Sequence, residues 1–434
     1  MQVLQFKFWR VTIAIILTST MNISEAQELL YTKDSHLTQL KALATMKGTS
    51  QHRAINSLKQ KLKNAAPPDP FVLAADTFDF GWCRQPERNK TLKDLSSRLE
   101  HQSSFARDMA QLYIYTGDTE ALKATYQMIK AWSEQSTLFN AYNLRMRPEE
   151  ADFPGKEDGF CNRSWNMMLD SIWQTYGLIN FSQVYLTLKK HGEAIALKEE
   201  QIVNLDQWLI DDLAAAVNAG FHAWTRWADA HPNSRAHMRY RADNHIAWSL
   251  AGLAAAAQAT KNRELMNYVV LGTPYKGYAN PSHLTAFVEL AINEQGEVYD
   301  EQVRAGQHKG FFYANFSLWA TLHSMISAKS FYSEVEKSPE VKSPLTSVDA
   351  KLEAGFTNYA SRVSSNNKMH DSKEKTDPAF FSFSYKLASG WLTKSKTLCA
   401  SADAKKEQHI WQTLGSISLA TLPCDQKPIE HELN

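Results

Sequence analysis

Residues Arg235–Gln258, RAHMRYRADNHIAWSLAGLAAAAQ, decide how the chain is organised. Four bases open the stretch: Arg235, His237, Arg239 and Arg241. Asp243-Asn244-His245 follows, then a run rich in alanine. An aspartate in front of such a run is a helix N-cap, because its carboxylate can accept from the unpaired N–H groups of the first turn. Ala254–Ala257 favours helix and allows a neighbouring helix to approach closely. Asn244 and His245 therefore sit at the mouth of a buried helix. Trp248, Ser249 and Gly252 follow on roughly the same face as His245. A polar pair at a helix mouth, behind a basic entry, suits an anionic group. A lone His beside an Asn at a helix start is ordinarily a capping or packing pair, so the stretch alone does not establish chemistry.

With 434 residues, 44% of them hydrophobic and 21% charged, the chain can bury a large core. Its net charge of +1 gives no global field, so a polyanion must be met by local basic clusters. Nothing resembles a nucleic-acid module. Residues 1–26 read as a signal peptide: Lys7 and Arg10, the apolar core Val11–Leu17, and a small-x-small site at Ser24-Glu25-Ala26. The expected mature domain is 27–434, periplasmic or secreted. No later segment is long and apolar enough to span a membrane. In an exported chain the four cysteines suggest two disulfides, and nearest-neighbour pairing would join Cys83 to Cys161 and Cys399 to Cys424. Their spacings do not suit a zinc site.

Helical periodicity runs almost throughout. Helices are expected over His36–Ala65, Thr91–Tyr115, Thr119–Glu134, from Asn162, over Glu199–Trp227 (with a break near Gly220), Asn262–Val270, His283–Ile292, from Gly310, over Val348–Val363, Phe380–Thr393 and Lys405–Leu414. Val298–Arg304 reads as extended or irregular after a turn at Glu294-Gln295-Gly296. The pair joined by TGDT at 116–119 is a helical hairpin. Helices in pairs, with no alternating strand pattern of note and no obvious linker, predict an all-α fold: one (α/α) toroid or incomplete barrel of paired antiparallel helices, its cleft built by loops at one end.

Asn244, His245, Arg304 and Tyr313 all precede or open expected inner helices and can converge on that cleft. Together they fit a uronate polymer. The C5 proton of a uronate becomes acidic when an amide and a guanidinium neutralise the adjoining carboxylate. A His or Tyr then takes that proton, and a Tyr hydroxyl protonates the departing O4. Such β-elimination needs no metal and no organic cofactor. Singly, each residue has a plainer reading: Arg304 as an ion pair with Asp300 or Glu301, and Tyr313 as a core aromatic beside Phe316.

DNHIAW at Asp243–Trp248 resembles the Asn-Asn-His-x-x-Trp motif of the alginate lyase family of polysaccharide lyases, which are helical toroids. GEVYDEQVRAGQHKGFFYANFSL, from Gly296, resembles that family's second block, with Glu301, Arg304 and Tyr313 at its Glu, Arg and Tyr. The resemblance implies that Asn244 and Arg304 neutralise the carboxylate and that His245 is the base for one epimer. Tyr313 would be the acid, and both acid and base for mannuronate. NRSW at Asn162–Trp165 resembles a helix start that some relatives place at the cleft. The expected substrate-binding residues are Asn162, Arg163, Arg239, Arg241, Trp248 and His308.

Three departures matter. Asp243 stands in place of the motif's first Asn, Ala247 stands where alginate-specific members often have Tyr, and the Arg-to-Tyr gap is two residues longer. The longer gap leaves Tyr299 as a competing proton donor. The expected partner is an anionic polysaccharide, first mannuronate-rich alginate, with glucuronan or another uronan as the alternative. Rivals of other classes are a glycoside hydrolase using Asp243 and Glu301, and a glycan-binding protein without catalysis.

Overall fold

The structure, a computed structural model, describes residues 28–70, 87–135, 163–230, 232–233, 239–303, 310–335, 339–364, 378–393, 395–401, 409–410 and 412–424. The segment 1–26, Cys83 and Cys161 lie outside them.

Four long helices carry the architecture: α3 (Glu87–Thr116), α5 (Arg163–His191), α9 (Asn244–Thr260) and α13 (Gly310–Val335). Each packs on the next, α3 on α5, α5 on α9 and α9 on α13. Each also has an outer partner: α4 (Thr119–Gln135) for α3, α7 (Ala215–Ala230) for α5, α10 (Arg263–Leu271) for α9 and α14 (Pro339–Ser364) for α13. Ring and hydrogen-bond pairings advance together along neighbouring inner helices. Asn180 bonds Arg107 and Ser103, Trp248 meets Tyr176, and Trp248 also meets Phe316 and Trp319. Leu99 meets Gly177 as Ser103 meets Asn180, so α3 and α5 run in the same direction, and α9 and α13 meet near their N-terminal ends. This is the expected (α/α) toroid of helix pairs.

The inner layer is tight because small residues sit at the crossings. A Cβ on Gly252 of α9 would lie 2.9 Å from Thr175 Cγ2 of α5, and one on Gly177 would lie 2.8 Å from Leu99 Cγ of α3. Ala254–Ala257 are wholly buried, so the alanine run acts as a packing surface on every side.

The remaining elements are shorter. They are α1 (Asp34–Thr45), α2 (Ser50–Lys63), α6 (Glu199–Gln207), α8 (Arg239–Ala242), α11 (Leu284–Ala291), α12 (Tyr299–Val303), α15 (Ser382–Trp391), α16 (Ser395–Ser401) and α17 (Ile417–Ala420). Several differ from expectation for local reasons. The helix expected over His36–Ala65 is two helices, since Gly48 takes φ +90° and the Thr49 hydroxyl caps α2 by accepting from His52 N. The break expected at Gly220 falls earlier, as a π-helical turn at Trp208–Ala214 that keeps Trp208, Leu209, Leu213 and Ala214 buried. Val298–Arg304, expected to be irregular, contains α12, preceded by a bridge between Ile292 and Val298. The helix expected at Lys405–Leu414 is replaced, within the described residues, by a two-stranded hairpin. In it β1 (His409–Ile410) pairs antiparallel with β2 (Gly415–Ser416). Gly415 (φ +74°) approaches Gln111 of α3, so the C-terminal segment leans on the first inner helix. Cys399 and Cys424 form the expected second disulfide, with Cα atoms 5.6 Å apart.

One buried carboxylate ties this region together. Asp108 of α3 is fully buried and pairs with Arg107 (2.7 Å), Lys61 of α2 (2.5 Å) and His409 of β1 (3.2 Å). Burial alone would raise its carboxyl, but Arg107, His409 and Lys61 outweigh it and hold the group well below the usual carboxylate range. A carboxyl depressed in the folded state stabilises the protein above its unfolded value near about 3.9 and loses that contribution as pH falls towards the folded value. Asp108→Asn is expected to cost about 3 kcal/mol at pH 7, because the buried Arg107 guanidinium loses its carboxylate. The deficit should shrink below about pH 4. Thermal melts at both pH values check it.

Candidate active site

The N-terminus of α9 is built as its sequence requires. Asp243 Oδ1 accepts from His245 N at 3.0 Å, which is the N-cap. Asp243 Oδ2 lies 3.0 Å from His245 Nδ1. Asp243 is fully buried, while the His245 side chain keeps 12% exposure. A carboxylate can only accept, so Nδ1 carries the proton and the lone pair resides on Nε2.

Asn244 is held from the other side. Asp300 of α12, fully buried, accepts from Asn244 N at 2.8 Å, from Asn244 Nδ2 at 3.5 Å and from Ser317 Oγ of α13 at 2.6 Å, all at Oδ2. One oxygen thus binds the mouth of α9 to the second turn of α13. Tyr313 is one turn before Ser317, half-buried at that same mouth. Asn244, His245 and Tyr313 are therefore brought to one end of the inner layer. Asn244 is fully buried, and its Oδ1 has no hydrogen-bond partner among the described residues.

Beneath them lies an aromatic floor. Trp248 is wholly buried, its ring centroid 4.9 Å from each of Tyr176, Phe316 and Trp319. It supports the site from below rather than standing as an exposed sugar platform. Beside Tyr313, Phe312 stacks on Phe316 (5.4 Å) and on the exposed Phe380 (6.2 Å). Arg241, also expected to bind substrate, is half-buried and donates to Ser282 Oγ at 3.3 Å. Arg163 and Arg239 are placed only as helical backbone. Asn162, Arg304 and His308 lie outside the described residues.

Glu301 accepts from α14 through both carboxylate oxygens. Oε2 accepts from Tyr359 (2.5 Å) and Oε1 from Arg362 (2.6 Å), both on α14. Asp243 is committed to the cap and to His245. The two carboxylates of the hydrolase alternative are thus both occupied as structural acceptors.

Three participants were missed in the sequence. Asp300 and Ser317 looked like ordinary loop and helix residues. Glu100 of α3 lay within an amphipathic pattern, yet it is 4% exposed, with Oε1 unpartnered among the described residues. Burial pushes its carboxyl up to about 8. It lies close enough to Tyr176 that burial, Glu100 and then Tyr313 all push the Tyr176 phenol well above its usual value. No side-chain pattern marks such a group; only the packing of α3 on α5 buries it.

A sequence model of the alginate lyase family matches residues 44–332, from the end of α1 to near the end of α13. The chain belongs to the alginate lyase family. It is a polysaccharide lyase of that family, which acts on uronate polymers. Its fold is similar to that of alginate lyase A1-III. One variant of that protein, complexed with tetrasaccharide, shows a TM-score of 0.51 at 13% identity, covering 94% of this chain and 98% of that one. A second variant complexed with tetrasaccharide shows a TM-score of 0.50 at 13% identity, with the same coverage. No curated protein matches the chain in sequence. The matched span includes both motif blocks, while α14–α17 and the hairpin lie beyond it.

Because the Glu100 carboxyl is raised in the folded state, its contribution to stability is present below an unfolded value near about 4.3 and is lost as pH rises through about 8. Glu100→Gln, neutral at this position at every pH, removes that dependence. Relative to the variant, the parent protein should lose stability on the order of 3 kcal/mol from about pH 5 to 9. Calorimetry across that range compares them.

Proposed function

We propose that this alginate lyase family member cleaves mannuronate-rich alginate by β-elimination, leaving a 4,5-unsaturated sugar at the new end. Asn244 and Arg304 neutralise the carboxylate at C5 and stabilise the enolate that develops there. Tyr313 gives a proton to the departing O4. On mannuronate, where the C5 proton and O4 share a ring face, the same phenol also removes the C5 proton. On guluronate the two lie on opposite faces, and His245 takes the C5 proton through Nε2. The N-terminal segment then directs the chain to the periplasm or the exterior, where such polymers are met.

One observation carries this reading: a single buried oxygen of Asp300 joins the mouth of α9, bearing Asn244 and His245, to the turn of α13 that follows Tyr313. The site also has what elimination requires, an amide, an imidazole and a phenol at one end of the toroid. The hydrolase reading lacks its pair of carboxylates, since Asp243 and Glu301 are engaged as described.

The test is the near-ultraviolet absorbance of the unsaturated product on mannuronate blocks, guluronate blocks and glucuronan. Absorbance should rise fastest on mannuronate blocks. Reducing ends without absorbance would instead mark a hydrolase. Tyr313→Phe on either block, and His245→Ala on guluronate blocks, are expected to lower kcat by roughly 10²–10⁴-fold with melting temperatures within a few degrees of the parent. Should Tyr313→Phe stay active and Tyr299→Phe fail, the proton donor is Tyr299.

A further inference from the structure

Asp243 departs from the family motif, which has Asn at its place, and the structure gives that departure a consequence. The carboxylate makes two contacts at once: with His245 N at 3.0 Å as the helix cap, and with His245 Nδ1 at 3.0 Å. An asparagine caps a helix about as well as aspartate. Capping therefore does not explain the charge. What the charge adds is an acceptor-only partner for the ring: the Nδ1 proton is held, the lone pair is confined to Nε2, and the imidazolium formed on proton abstraction is stabilised by an adjoining anion. Asp243 is wholly buried, so this attraction is little screened by water. A base of this kind matters most where Tyr313 cannot reach the proton to be removed.

We propose that Asp243 is a positioning residue that makes His245 an effective base, and that this extends the chain's action to guluronate residues as well as mannuronate. The inference rests on the β-elimination reading above and deepens it. No new bond chemistry is involved. The C5 proton passes to Nε2, the C5 electron pair forms the C4–C5 double bond, and O4 leaves with a proton from Tyr313.

Two variants separate this role from capping. Asp243→Asn keeps the cap and removes the charge. Asp243→Ser keeps the cap, and its side chain is too short to reach Nδ1. On guluronate oligomers, kcat is expected to fall about 10-fold in Asp243→Asn and about 100-fold in Asp243→Ser, with KM changed less than about 3-fold. On mannuronate oligomers the fall should stay below about 3-fold. Nitrogen NMR of histidine-labelled protein, with the His245 signals assigned by His245→Gln, should show the Nδ1-protonated form in the parent and a mixed population in Asp243→Ser.

Equal losses on both epimers, or an unaltered tautomer in Asp243→Ser, would reduce Asp243 to a cap and overturn the inference. So would a parent protein active on mannuronate but silent on guluronate. A parent silent on every uronan would overturn the functional reading instead, while the NMR comparison would still decide whether Asp243 sets the tautomer.

Discussion

A fully buried Asp300 carboxylate holds the working end of this protein together. Its Oδ2 accepts from the backbone of Asn244 and the hydroxyl of Ser317, residues on two helices far apart in the chain. A buried carboxylate is costly unless its lone pairs are filled. The two helix mouths must therefore sit where their donors reach it. That requirement sets where Asn244, His245 and Tyr313 stand relative to one another, and the packing beneath follows from it. Trp248 fills the space between α5, α9 and α13, against Tyr176, Phe316 and Trp319.

Two further buried carboxylates have different tasks. Asp108 fastens α2, α3 and the C-terminal hairpin through Lys61, Arg107 and His409. It sits where the inner layer needs the C-terminal segment as support. Asp243 serves the helix end and the imidazole together. Glu100 contrasts with both: it is buried without a cation to offset it among the described residues, and burial raises its carboxyl to about 8. Charge buried with partners gives rigidity here, whereas the carboxyl buried without them is neutral around pH 7.

The alginate lyase family fold supplies a scaffold on which such placements can vary. At 13% identity the A1-III structures share the toroid with this chain over nearly its whole length. Glu301 shows one such placement: both of its oxygens accept from α14, through Tyr359 and Arg362. α14 lies wholly beyond the matched span.

Local chemistry determined much on its own. Periodicity placed the helical pairs, because an amphipathic or alanine-rich run has few other ways to satisfy its backbone. The aspartate before Asn244 marked a helix start, and the two cysteines nearest the C-terminus paired as neighbours. The two motif blocks carried Asn244, His245 and Tyr313. What the tertiary structure alone decided concerns burial and reach. It gave Asp300 and Ser317 their bridging role, drew Glu301 to α14, sank Trp248 into the core, and made His409–Ile410, within an expected helix, a strand paired with Gly415–Ser416 against α3. A side chain's partner across the fold depends on where whole helices come to rest. Local sequence carries the propensity of each helix, while its neighbours and their register are set only when all the apolar faces are buried together.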